Sequence, residues 1–128
     1  MIYESLILNT EYSKPLAVWL LFILALLVVM IVLGGFTRLT ESGLSMVNWH
    51  PVTGWLPPLD KLAWEKVFSD YQKSPEYLEI NAGMTNNEFK SIFWLEYLHR
   101  LLGRIIEVSF FVPMIFFVYM GWIRGAFL

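Results

Sequence analysis

Two long apolar runs separated by a polar stretch set the pattern of this chain. Leu16 to Gly35 gives twenty consecutive residues without a charge. At about 1.5 Å per residue this covers roughly 30 Å, one hydrocarbon core, and predicts a membrane-spanning helix over 15–36. The run is too long for a signal-peptide core, and the preceding tail, 1–14, is not rich in arginine as a transit peptide would be. Trp19, near the start of the run, suits an interfacial anchor. Gly34-Gly35 reads as the bend that ends the helix. A second apolar run predicts a second span over 92–123, with 124–128 as a short tail. Pro113 lacks an amide donor, frees the carbonyl of Ser109 and predicts a kink there. The expected fold class is all-α integral membrane: two transmembrane helices joined by a long extramembrane loop, 37–91, that carries short amphipathic helices. The spans form a hairpin, and Lys14 and Arg124 at its ends favour termini inside and loop outside.

Within the loop, helix signals are local. Thr37 to Met46 and Asn48-Trp49-His50-Pro51 read as irregular backbone near the membrane surface. Gly54-Trp55-Leu56-Pro57-Pro58 is turn chemistry with interfacial aromatics. Asp60 caps a helix running to about Gln72. Trp64, Phe68 and Tyr71 share one side of it, which either lies on the bilayer or neighbouring protein or packs on its own loop. Ser74-Pro75-Glu76 starts a short helix that ends by Gly83. Thr85-Asn86-Asn87-Glu88 is a capping box, with Met84 and Phe89 as its hydrophobic staple. The last helix therefore begins near Asn86, before its apolar run.

Composition sharpens this picture. Of 128 residues 57% are hydrophobic and 16% charged, against about 45–50% and about 25% in soluble domains. The formal charge of -2 argues against a nucleic-acid partner. The absence of cysteine excludes disulfides, thiolate metal sites and cysteine nucleophiles. His50 and His99 are the only imidazoles.

The chemistry concentrates between Glu96 and Glu107. On a helix, with Glu96 at zero, Arg100 falls at about 40°, Gly103 at about 340°, Glu107 at about 20°, His99 at about 300° and Arg104 at about 80°. They share one face, roughly 140° wide. Ionisable groups in a spanning helix are costly and point to function. His99 is a candidate axial ligand to haem iron, with Gly103 leaving room for a flat ring; the alternative is polar glue to a neighbouring helix. Arg100 and Arg104 are candidates to hold propionates, or rungs of an ion-pair ladder with Glu96 and Glu107. Glu96 is a candidate proton-transfer group beside a bound cofactor, or a solvated carboxylate where the helix enters the membrane. His50, in a loop between Trp49 and Pro51, reads as a surface histidine.

At these residues the sequence resembles haem A synthase, in its proteobacterial and mitochondrial form. The resemblance rests on Gly34-Gly35-Phe36-Thr37-Arg38-Leu39-Thr40-Glu41-Ser42-Gly43-Leu44-Ser45-Met46, on Trp49-His50-Pro51, and on Asn87 to Arg104 with its Glu96-x-x-His99-Arg100 core. It covers nearly the whole chain but only the first two of the family's eight spans, so the chain is expected to be the N-terminal portion of an eight-helix protein built as two four-helix bundles. The resemblance implies an oxidoreductase that converts a methyl group of haem O to the formyl group of haem A for cytochrome oxidase biogenesis. It implies haem O as substrate, haem b in the C-terminal half, and membrane lipid, haem O synthase and an electron donor such as ferredoxin as partners. It further implies Glu96 as the essential carboxylate and His99 as a haem ligand whose partner histidine lies on the fourth span. Arg100, Gly103 and Arg104 are expected to complete the cofactor-binding face. Glu107 departs from the small or apolar residue usual in the family. The expected location is the bacterial plasma membrane, with the mitochondrial inner membrane as alternative. The chain by itself is expected to be inactive. Two rival readings remain: a non-catalytic haem-binding hairpin serving electron transfer, and a purely structural membrane hairpin.

Overall fold

The structure, a computed structural model, describes residues 10–48, 50 and 54–123. Four helices follow in order: α1 (Thr10–Leu39), α2 (Lys61–Tyr71), α3 (Pro75–Glu79) and α4 (Asn86–Tyr119). No strand occurs among the described residues. Within them α1 and α4 are long and apolar enough to cross a membrane. The chain divides into two compact units, one from Met1–Val29 with Gly103–Leu128, the other Met30–Leu102.

In the first unit most apolar side chains point outward. Val18, Leu21, Leu24 and Val28 on α1, and Phe111, Val112, Ile115 and Val118 on α4, are exposed. A helix that is apolar around its circumference is soluble only in lipid. The few internal contacts centre on Trp19, which stacks on Phe110 (5.4 Å) and meets Phe117 edge-on (5.3 Å). Its indole N–H donates to the Ser109 carbonyl at 2.8 Å. This is the carbonyl that Pro113, four residues on, leaves without an amide. Trp19 is therefore a half-buried packing and hydrogen-bonding residue. α4 continues through Pro113 and ends at Tyr119, short of the expected 123. Gly121, at φ +69°, closes it: Gly121 N–H donates to Val118 and Trp122 N–H to Phe117. That is a Schellman ending with glycine in the left-handed position.

In the second unit α1 does not stop at Gly34-Gly35. It runs through them to Leu39. The ending is again a Schellman motif: Ser42 N–H donates to Thr37 (3.0 Å) and Glu41 N–H to Arg38 (3.3 Å). Here the left-handed residue is Glu41, at φ +51°. Side chains add to the backbone turn. The Ser42 hydroxyl lies 3.2 Å from the Thr37 carbonyl, and Thr40 and Ser42 hydroxyls are 2.8 Å apart.

The predicted caps of the loop are present. The Asp60 carboxylate accepts from Ala63 N–H at 2.7 Å, and Ser74 caps α3 with Pro75 at its first turn. Thr85 and Glu88 close the capping box, and Met84 packs against the cluster containing Phe89. Trp64, Phe68 and Tyr71 resolve to the loop's own core. Phe68 and Tyr71 lie 5.1 and 5.0 Å from Phe89, and Trp64 lies 4.9 Å from Phe93. Phe89, Phe93 and Tyr97, at spacings of four, form the α4 side of that core. Burying such rings contributes about 1.5–3 kcal/mol each. Tyr97 then ties the loop by donating to the Trp55 carbonyl at 2.6 Å. Of the Trp49-His50-Pro51 segment only His50 is described, and it is exposed. Trp49, Pro51, the beginning of the N-terminal tail and the expected tail 124–128 lie outside the described residues.

Candidate functional site

Glu96 projects from the first half of α4 into the turn that follows α1. It is only 2% exposed, so it is not a solvated carboxylate: Ser45 and Met46, just beyond the end of α1, lie on it. The Ser45 hydroxyl donates to Glu96 Oε2 at 2.6 Å, and Met46 N–H donates to the same oxygen at 2.8 Å. Arg100, one turn along α4, meets Oε1 through Nη2 at 2.5 Å. That guanidinium nitrogen also donates to the Met46 carbonyl at 3.3 Å. Oε2 thus accepts two hydrogen bonds, while Oε1 is held by the ion pair alone, and the charge is paired, as a buried carboxylate requires. The sequence placed Glu96 and Arg100 together by spacing. It did not place Ser45 and Met46 there, although both belong to the motif that carries the resemblance. Partners about fifty residues apart leave no periodic signal.

His99 is half-buried. A Cβ built on Gly34 of α1 would sit 3.2 Å from His99 Nε2 and 3.7 Å from Cδ2. The imidazole therefore lies against α1 at a place where an added side chain would push it by a few tenths of an ångström. Gly35 meets nothing within 4 Å. Among the described residues no hydrogen bond engages the His99 ring, so the polar-glue alternative has no partner there. The second guanidinium nitrogen of Arg100, Nη1, is buried without a partner. One donor of the Arg100 guanidinium is thus unspent. Gly103 is half-buried, Arg104 is 8% exposed, and Glu107 is exposed; these three belong to the first unit.

A separate open cleft of about 530 Å³ is lined by Arg38, Glu41, Leu44, Glu76 and Glu79 among others. Glu76 is 8% exposed, with Oε2 lacking a partner. Its burial, then the negative charges of Glu96 and Glu41, push its carboxyl above the ordinary 4.5. No group of three or more potential metal-binding side chains converges among the described residues.

Residues 17–127 match the model of a family described as cytochrome oxidase assembly protein. The chain belongs to the cytochrome oxidase assembly protein family. Family membership and the two apolar helices together make it an integral membrane protein. Its relatives include proteins named haem A synthase. That of Nitrosospira multiformis is 50% identical over 106 residues, covering 83% of this chain and 30% of the relative. That of Rhodopseudomonas palustris strain BisB5 is 51% identical over 114 residues, covering 89% and 32%. That of Nitrosomonas eutropha is 50% identical over 109 residues, covering 85% and 31%. The chain thus spans about a third of the length of these relatives. No solved structure matches it.

Proposed function

We propose that this chain is the N-terminal portion of a haem A synthase, contributing to haem A formation and cytochrome oxidase assembly. The reaction is oxidation of a methyl group of haem O to the formyl group of haem A. The observation that carries the reading is the buried Glu96 carboxylate, fixed by Ser45, Met46 and Arg100 three residues before His99. The donor set suits a haem. His99 supplies an imidazole with no competing hydrogen bond among the described residues, packed against α1 at Gly34. The unspent Nη1 of Arg100 suits a propionate. Gly103 and Arg104 keep their expected cofactor-binding roles, with Arg104 as a second propionate donor. Haem O is the substrate, and haem b belongs to the part of the relatives this chain does not span.

In this reading each residue has a bounded task. His99 binds iron and Arg100 orients the ring. Conversion of the methyl to the formyl group balances as two hydroxylations with dioxygen, each consuming two electrons and two protons and releasing water, after which the geminal diol loses water. Glu96, held in one rotamer and shielded from solvent, moves protons or stabilises positive charge developing at the reacting carbon. The electrons come from a donor protein of the ferredoxin class, and haem O arrives from its synthase through the bilayer. The setting is the bacterial plasma membrane.

The test uses a host that makes haem O but lacks its own synthase. Supplied with the full-length protein carrying this segment, its extracted pigment should contain haem A. His99→Ala should lower both bound haem and haem A. Haem A at wild-type level with His99→Ala would refute the ligand assignment. Failure of the unsubstituted protein to yield haem A would refute the function.

A further inference from the structure

We propose that Ser45 is the positioning residue of the Glu96 carboxylate, an inference that rests on the reading of Glu96 as the catalytic group. Ser45 is 1% exposed and sits just beyond the Schellman turn that ends α1. Its hydroxyl has one proton and two acceptors in reach: Glu96 Oε2 at 2.6 Å and the Ile92 carbonyl at 3.4 Å. The short bond to the charged oxygen takes the proton. The Met46 amide approaches the same oxygen from the backbone, while Arg100 holds the other. Three donors from two chain segments fix both the rotamer and the plane of the carboxylate. At 2.6 Å the Ser45 hydroxyl makes the shorter of the two contacts to Oε2 and holds that oxygen from a second direction.

The turn itself is braced for this purpose. Glu41 adopts the left-handed conformation that non-glycine residues seldom take. Ser42, fully buried, and Thr40 bond the turn back to the last carbonyls of α1. Ser45 therefore reaches α4 from a backbone with little freedom. A hydroxyl needed only for its own satisfaction would be served by the Ile92 carbonyl; this one is spent on the carboxylate.

The experiment compares Ser45→Ala, Ser45→Thr and Glu96→Gln in the full-length protein. Two readouts are taken in detergent: the infrared carboxylate band of Glu96, isolated as the difference from Glu96→Gln, and haem O conversion per bound haem. Ser45→Ala should shift the Glu96 band and lower kcat by about 10–100-fold with KM and haem content unchanged. Ser45→Thr, which keeps the hydroxyl, should restore both. An unshifted band in Ser45→Ala overturns the proposal whatever the activity. Normal conversion in Ser45→Ala alongside inactive Glu96→Gln also overturns it, while leaving the catalytic reading of Glu96 intact. Normal conversion by both variants overturns that reading instead. Ser45→Cys, which keeps the size and weakens the donor, serves for the same measurements where Ser45→Ala accumulates poorly.

Discussion

Two adjacent glycines carry opposite weights. Gly34 faces the His99 ring, where an added methyl would stand 3.2 Å from Nε2; Gly35 faces open space. Gly34→Ala should push the imidazole by a few tenths of an ångström and weaken haem binding by about tenfold, the scale of a disturbed ligand support. Gly35→Ala should leave haem binding unchanged and stabilise α1 by about 0.5–1 kcal/mol. Haem titration of the two purified variants separates them; equal affinities would contradict the contact. Glu76 supplies a prediction of the other sign. Its carboxyl is pushed above 4.5 in the folded protein by burial and by the charges of Glu96 and Glu41. The native state then binds a proton that the unfolded chain releases. This favours folding at acid pH and is lost as pH rises through the folded value. Glu76→Gln should raise the unfolding temperature near pH 7.5 and make no difference below about pH 4.5. A lower unfolding temperature at neutral pH would show that Glu76 is paired there.

Helices and their ends were legible where the signal is local. Asp60, Ser74 and the Thr85–Glu88 box cap as their spacing predicts because each bond closes within three residues. The end of α1 was not legible. A glycine pair suggested a stop, yet the helix passes both and ends with Glu41 in a left-handed conformation. Nothing in the residue type announces that. The core face of α2 was visible, but whether it met lipid or its own loop depended on Phe89 and Phe93, distant in sequence. In the same way the freed Ser109 carbonyl was legible from Pro113, while its donor, Trp19, ninety residues away, was not. That pairing gives a test at this scale. Trp19→Phe keeps the ring and leaves the carbonyl unsatisfied in an apolar setting, costing about 1–3 kcal/mol. Pro113→Ala returns an amide to that carbonyl, so in its background the cost of Trp19→Phe should fall below about 1 kcal/mol. Unfolding of the four proteins in detergent gives the coupling; additive effects would contradict the bond.

At the scale of the whole molecule the chain covers about a third of its relatives and provides two spans, and on its charged face one histidine and the buried carboxylate of Glu96. Its charged face was legible as a face; the enclosure of Glu96 was not, because the enclosing turn comes from the far side of the loop. The central claim is that this enclosure serves oxidation and not only packing. Gln at position 96 can still accept from Ser45 and Met46 through its carbonyl, but its amide then faces the Arg100 donor. The loop should stay docked while the charge and the exchangeable proton are lost. The most direct measurement is haem O to haem A conversion per bound haem by full-length Glu96→Gln protein. Conversion lowered by about 10²–10⁴-fold at unchanged haem content is the predicted result. Near-normal conversion at that haem content would mean that Glu96 only fastens the loop to α4, and the catalytic assignment would be wrong.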